Sequence, residues 1–568
     1  MNSLILTILA MAGYLLAYRL YGRFLGRKLF RLQADYLMPS HEFNDGVDYV
    51  PTKRHIIFGH HFTTIAGLGP IVGPAIGVIW GWVPAFLWVF FGAIFMGAVH
   101  DFSTMVVSAR NKGKTIGDLT GDLIGPGTRY VFQFIMQFLL FIVLSVFALI
   151  VGKLFDLYPT AVLPVWMQIP IAVWLGWMIR KGYNDLLFSI IAVLLMYGTV
   201  IAGVYLPITI PPIMGSTVVT WCILLFIYIY FASTIPVQKL LQPRDYINSH
   251  QLLVAMFMLI LGIVVAHPGI TAPAINSAAF ESGTDIPGLM PILFITIACG
   301  AISGFHSLAS SGTTVKQVDK ENDTLFIGYG GMLWESFLAV LVIIAVSAGL
   351  GMGVEKEGFF YQGAEAFRHH YSSWAAFSGI DSKLEAFVNG ASNLFSSFGI
   401  PESIGKSMIA VFIVSFAGTT LDSAARIQRL SLQEIFRDRQ GKIRKPLNNR
   451  YVATLFVVGA ATLMTFLKQG AGALVLWRLF GSLNQLLAAL ALGIVTIYLF
   501  VKKKNIYYSL IPMVFVLFVT LWAMVTNLLN FFAEKDYLLV VFSCIILLLT
   551  GWLLVSGIYA LINRKQSV

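Results

Sequence analysis

The sequence predicts an all-α polytopic membrane protein, and three observations support this. Of its 568 residues, 58% are hydrophobic and only 11% charged, with a mean hydropathy of +0.80; soluble domains run at roughly 45–50% apolar and about 25% charged. Apolar stretches long enough to cross a bilayer recur along the whole chain, and hydrocarbon accepts only segments whose backbone groups bond internally. The Lys and Arg residues behind the net charge of +11 lie between those stretches and alternate in abundance from loop to loop, as membrane topology requires. This composition excludes a soluble multidomain enzyme, and 14% aromatic residues exclude a disordered or fibrous chain. Basic residues placed this way form no nucleic-acid surface, so membrane lipid and a small solute are the expected partners. Cys222, Cys299 and Cys544 sit in apolar runs and make neither a disulfide framework nor a CxxC metal site.

Fifteen spans are expected, in order 4–21, 56–80, 83–108, 130–151, 162–178, 186–206, 218–235, 252–266, 289–312, 325–350, 407–420, 451–467, 474–501, 507–531 and 537–562. The first has its charges behind it and no small-residue cleavage site, which marks an uncleaved anchor. The short entries 252–266 and 407–420 require tilt, re-entry or extension by polar flanks. The longest hydrophilic stretch, about 351–405, is expected as an outer loop with short helices. With the amino terminus outside, the cytoplasmic side receives 30 of the 38 Lys and Arg residues and the other side 7, with Arg478 inside a span. The carboxyl terminus then lies in the cytoplasm. Four regions follow: an anchor and basic loop over 1–55, a core over 56–425, a basic cytoplasmic loop over 426–450, and peripheral helices over 451–568.

Several spans break the rule that lipid-facing helices are built from Leu, Ile, Val and Phe. In 59–77, Gly67, Gly69, Gly73 and Gly77 alternate with Pro70 and Pro74. Proline removes a backbone donor and glycine lowers the cost of leaving the helix, so a discontinuous helix with exposed backbone groups is expected. The competing reading is a proline kink in close glycine packing. In 298–314, Ser303, His306 or Ser307, Ser310, and Thr313 or Thr314 recur at helical spacing and share one face. Such a stripe suits a desolvated cation or a carboxylate, or else forms a polar seam between helices. A third weak point is 231–236, where Ser233, Thr234 and Pro236 end an apolar run. Asp422 and Arg426 stand i,i+4, which suggests a local ion pair.

The ionisable residues of the spans are His100, Asp101, His306, Glu335, Asp422 and Arg478, with His60 and His61 entering the second. An unpaired charge at mid-bilayer costs at least about 2.5–3.5 kcal/mol, so these groups are paired, neutral or functional. His100, Asp101, His306, Glu335 and Asp422 are the candidate proton-coupling groups, with Asp101, His306 and Glu335 foremost. Thr63, Thr64, Ser310, Ser311 and Thr314 offer oxygen atoms for a sodium ion as the competing device. His60 and His61 are candidate metal ligands. The chain has no HExxH, GxSxG or GxxxxGK[ST] motif, so an intramembrane metal-dependent enzyme is the weaker alternative and no cofactor is expected.

The run KRHIIFGHHFTTIAGLGPIVGPA at 53–75 closely resembles the signature of the carbon-starvation protein A (CstA) family. So do GAVHDF at 97–102, ASTIPVQKLLQPRDY at 232–246, the 298–314 stripe, TTLDSAAR at 419–426 and FGSLNQLLA at 480–488. The resemblance implies a secondary transporter of the bacterial inner membrane that imports small carboxylate-bearing nutrients, short peptides or pyruvate, during carbon starvation, with protons as the coupling ion. It further implies a LeuT-like core of two inverted five-helix repeats. The first repeat would open at the 67–74 break, the second at 233–236 or alternatively at 300–304, with the first span and the last three peripheral. Alternating access would then work on a site built from Gly67, Gly69, Pro70, Ser303, His306 and Ser310. A solute carboxylate would dock on backbone N–H groups at a half-helix N-terminus, where the helix dipole is positive.

Overall fold

The computed structural model describes residues 2–281, 284–356, 358–374, 380–437, 445–466 and 472–566. Among these, twelve helices are long and apolar enough to cross a membrane: α1 (Ser3–Phe30), α4 (Trp82–Ala109), α6 (Pro126–Leu157), α7 (Pro159–Arg180), α8 (Asp185–Tyr205), α9 (Thr217–Thr234), α10 (Leu241–Ala266), α13 (Leu325–Met352), α15 (Glu402–Ile435), α17 (Val475–Val501), α18 (Tyr507–Ala533) and α19 (Tyr537–Ile562). The pair α2 (Arg54–Ile65) and α3 (Gly69–Trp80) makes a thirteenth span, bent by 46°. Shorter helices are α5 (Ile116–Leu123), α11 (Leu289–Thr296), α12 (Gly304–Gly312), α14 (Ile380–Ser396) and α16 (Arg450–Phe466).

The count therefore falls two below the fifteen predicted. The 289–312 stretch is not one span but α11 and α12, separated by seven non-helical residues. Hydropathy is continuous across it, so composition alone does not reveal the interruption. The 451–467 span appears as the 17-residue α16, with 467–471 outside the described residues.

Local sequence sets the breaks. Pro70 stands at the first positions of α3, where a missing N–H costs nothing, and a helix passing through it from α2 would lose a bond; Ala66 closes α2. Asn184, Thr115 and Ser216 start α8, α5 and α9 by accepting backbone N–H bonds.

In lipid, burial against protein rather than hydropathy tells inside from outside. The most buried spans are α13 (94% of its window), α6 (89%), and α15 and α17 (83% each), whereas α1 and α8 reach 33% and α19 28%. Helix α6 runs along α15 and α9, α2 lies on α10, α3 on α13, and α17 against both α12 and α18. The placing of 474–501 among peripheral helices is corrected by this packing: α17 is a wall of the centre. The basic loop predicted over 426–450 also starts later, because α15 continues to Ile435 and buries Arg426 and Arg429; residues 438–444 of it lie outside the described residues. Within 351–405 are a hairpin pairing Val354 with Tyr361, a helix at Gly363–His370, and α14, which packs on α10 and α15.

Candidate functional site

The two interruptions, 66–68 and 297–303, face one another. A Cβ on Gly69 would fall 2.2 Å from Cys299 Cβ and Sγ, and one on Gly73 would fall 2.6 Å from the Thr296 carbonyl oxygen. Only hydrogen at those two positions permits the backbones to approach so closely. Within 59–82, Gly69 is the single residue that is not buried, and Cys299 beside it is 9% exposed. Gly67 packs on Thr420 and Phe147, and Pro70 is buried.

The second break is capped from α17. The Asn484 side-chain oxygen accepts the Phe305 N–H (2.9 Å), and its nitrogen donates to Ser303 Oγ (3.0 Å). This amide occupies one first-turn donor of α12, the Phe305 N–H, at one of the half-helix N-termini where a solute carboxylate could dock. Helix α12 is only nine residues long, so Ser303 precedes it and Thr313 and Thr314 follow it. The predicted stripe is consequently shared by a helix and its two ends. Ser310 Oγ is buried without a hydrogen-bond partner; Ser311 Oγ donates to the Ser307 carbonyl (2.6 Å) and accepts the Ile116 N–H (3.2 Å).

His306, in the first turn of α12, is the hinge of a buried chain. Its Nδ1 stands 2.9 Å from Asp101 Oδ2, and its Nε2 is 3.3 Å from Glu335 Oε2. Asp101 Oδ1 is in turn 2.8 Å from His100 Nδ1. All four side chains are fully buried and come from α4, α12 and α13. An imidazole between two carboxylates can take a proton on one nitrogen and give one up from the other.

His60 and His61, adjacent on α2, point about a quarter-turn apart. His60 Nδ1 pairs with Asp245 of α10, and His61 Nδ1 meets Thr314 Oγ1 at 2.9 Å. The expected metal pair is thus divided between two partners. Among the described residues no group of three or more His, Cys, Asp or Glu side chains is arranged to hold a metal. The hydroxyls weighed for sodium also scatter: Thr63 Oγ1 bonds the Gly59 carbonyl (2.8 Å), Thr64 Oγ1 lies 3.1 Å from Ser423 Oγ, and Thr314 serves His61.

Asp422 does not pair with Arg426. Its Oδ2 takes Arg244 Nη1 of α10 and the Tyr228 hydroxyl (2.8 Å) of α9, while Arg244 Nη1 also donates to that hydroxyl (2.7 Å). Arg426 reaches Asp48 instead (2.7 Å), together with the Ala232 and Ile235 carbonyls at the end of α9. Burial works against an ionised Asp48, yet the Arg429 and Arg426 guanidinium groups and the Lys316 ammonium hold its carboxyl down at about 2. Sequence reading missed Arg244, Asp245, Tyr228 and Asn484. The first two sit at the polar end of a span and resemble loop charges; their only signal was membership in the 232–246 and 480–488 signature runs shared with Asn484.

Residues 2–523 match the family described as Carbon starvation protein CstA. A peptide transporter CstA of Campylobacter jejuni is 32% identical over 92% of this chain and 80% of its own. The peptide transporter CstA of Bacillus subtilis is 32% identical over 92% and 89%, respectively. The pyruvate/proton symporter BtsT of Escherichia coli is 32% identical over 92% and 81%. Among solved structures, a mutant of the manganese transporter of Eremococcus coleocola superposes with a TM-score of 0.50 at 11% identity, covering 91% of this chain and 99% of that one. This last likeness is one of fold alone.

Proposed function

The chain belongs to the carbon starvation protein CstA family, and from that premise we propose that it is a secondary active transporter importing small carboxylate-bearing nutrients, short peptides or pyruvate, by proton symport across the bacterial inner membrane, amino terminus outside and carboxyl terminus inside, when preferred carbon is scarce. The solute sits between the two breaks, against Gly67, Gly69, Pro70, Ser303, His306 and Ser310, in a core of two inverted repeats that open at α2–α3 and α11–α12. The choice of 297–303 over 233–236 as the second opening is supported by its contact with the first break.

The observation that carries this reading is His306. It lies in the first turn after the second break, bonds Asp101 through Nδ1 and has Glu335 3.3 Å from Nε2 without a hydrogen bond, all three out of reach of solvent. Rearrangement of the break on solute binding moves that imidazole relative to both carboxylates, which ties solute occupancy to proton exchange. The relatives named as peptide transporters and as a pyruvate/proton symporter support both the solute class and the ion. Sodium coupling is the weaker reading, because the hydroxyls available to it do not converge.

Proteoliposomes loaded at high internal pH and diluted into low external pH test this. Labelled pyruvate or dipeptide should accumulate in the wild type with an imposed ΔpH and not with a sodium gradient. Glu335→Gln should lose ΔpH-driven accumulation by at least about tenfold while keeping solute counterflow, since it retains the site and loses the titrating group. Accumulation driven by sodium alone would overturn proton coupling.

A further inference from the structure

We propose that Arg244 is the cation that binds the solute carboxylate, and that Asp422 occupies it as an internal substitute when no solute is present. This rests on the carboxylate-transport reading above and assigns the charge that recognises the solute.

A carboxylate entering a low-dielectric site needs a fixed partner charge. Four arginines are placed to be weighed by burial and partners. Arg426 and Arg429 share Asp48, and Arg426 is further bound to two carbonyls. Arg478 pairs with Glu534 at a half-exposed site. Arg244 differs. It is 3% exposed, and the groove for its guanidinium exists because position 418 is glycine: a Cβ there would lie 2.6 Å from Nη2. Its Nε donates to Gln168 Oε1 (3.2 Å) and its Nη1 to Tyr228 and Asp422, but the fully buried Asp422 uses only one oxygen, Oδ2, and leaves Oδ1 without a hydrogen-bond partner. A buried carboxylate accepting through one of its two oxygens is under-satisfied, so this ion pair is cheaper to exchange than a forked one. The donors that hold Asp422, a guanidinium N–H and a phenol O–H, are those a solute carboxylate uses.

Position supports the same assignment. Gly418 and Asp422 bracket Arg244 along α15, and between them Thr420 packs on Gly67 of the first break and donates to the Thr64 carbonyl (3.3 Å). Gly418 and Asp422 share one face of α15 and Thr420 the opposite one, so the link from Arg244 to the first break runs through its neighbour Asp245, which pairs with His60 of α2. Arg244, Tyr228, Gly418 and Asp422 also border a hollow of about 20 Å3 whose remaining wall is apolar, including Phe155 and Trp166. That volume admits water and not a three-carbon acid, so a solute carboxylate reaches Arg244 only when the hollow widens. Opening of the α15 face toward the break would bring the solute carboxylate to Arg244 as Asp422 withdraws.

Equilibrium binding to the purified full chain tests the exchange, with labelled pyruvate and a dipeptide as probes and pyruvamide as the uncharged competitor. The wild type should bind the acids and ignore the amide. Arg244→Gln should weaken acid binding by at least about tenfold, the loss expected for a charge-assisted hydrogen bond. Asp422→Asn should bind the acids several-fold more tightly, because the internal competitor has lost its charge; misfolding cannot produce that gain. Unchanged affinity in Arg244→Gln, or weaker binding in Asp422→Asn, would identify the pair as a structural staple and overturn the proposal while the transport reading stands. No binding of either acid by the wild type would overturn that reading, and this proposal with it.

Discussion

At the scale of single residues, the contact between the breaks depends on an atom that is missing. Gly69 and Cys299 leave no room for a methyl group, so Gly69→Ala should abolish solute uptake and lower thermal stability by about 1–3 kcal/mol, the usual cost of overpacking. Pairing it with Cys299→Gly should restore part of both, measured by uptake and by unfolding in detergent. The residues of this region were unevenly legible. His306, Asp101 and Glu335 stand out in sequence because ionisable groups are rare in apolar runs, and a reader needs no structure to suspect them. What the sequence withholds is their partnership, since positions 101, 306 and 335 meet only after the chain has folded. Arg244 was illegible for another reason. It lies at the polar mouth of α10, where an arginine ordinarily faces water and headgroups, and only the glycine at 418 reveals that its side chain turns inward.

At the scale of elements, glycine and proline announced the first break, whereas the second was legible only as an alternative at 300–304, because Ala298 to Ile302 are as apolar when unwound as when helical. The predicted i,i+4 pair of Asp422 and Arg426 failed for a related reason: each found a better partner on another helix, and spacing along one helix reports nothing of its neighbours. The outcome ties the 45–50 loop to α15 and to the end of α9 through Asp48. This tie has a definite pH signature. Asp48 titrates lower in the folded protein than in the unfolded chain, so its contribution is fully present above about pH 4 and is lost as the pH falls toward 2. Asp48→Asn should therefore cost up to about 2 kcal/mol at pH 7, and the gap from wild type should narrow in unfolding scans below pH 4 and nearly close at pH 2. A gap that stays constant with pH would assign the effect to packing rather than charge.

At the scale of the whole molecule, the spans divide by what surrounds them. Helices α6, α13, α15 and α17 are enclosed by protein, and α1, α8 and α19 present much of their surface outward. Sequence could not rank them, because leucine serves equally against lipid and against another helix; α17 was misplaced for that reason, although Asn484 within it caps the second break. The ranking predicts that removing 537–568, which takes away α19, leaves a monodisperse protein that still transports, with a lowered melting temperature from the lost Phe138–Phe542 stack. Loss of all transport from a folded truncation would give α19 a working role. One feature has a mechanical reach beyond its chemistry. Along α15, Thr420 touches the first break, Asp422 holds Arg244, and Arg426 clasps Asp48. Three locks mounted on one rod are loaded together when the rod tilts, so a solute that shifts the rod midway along it would be felt at the Arg426 end without any relay of side chains.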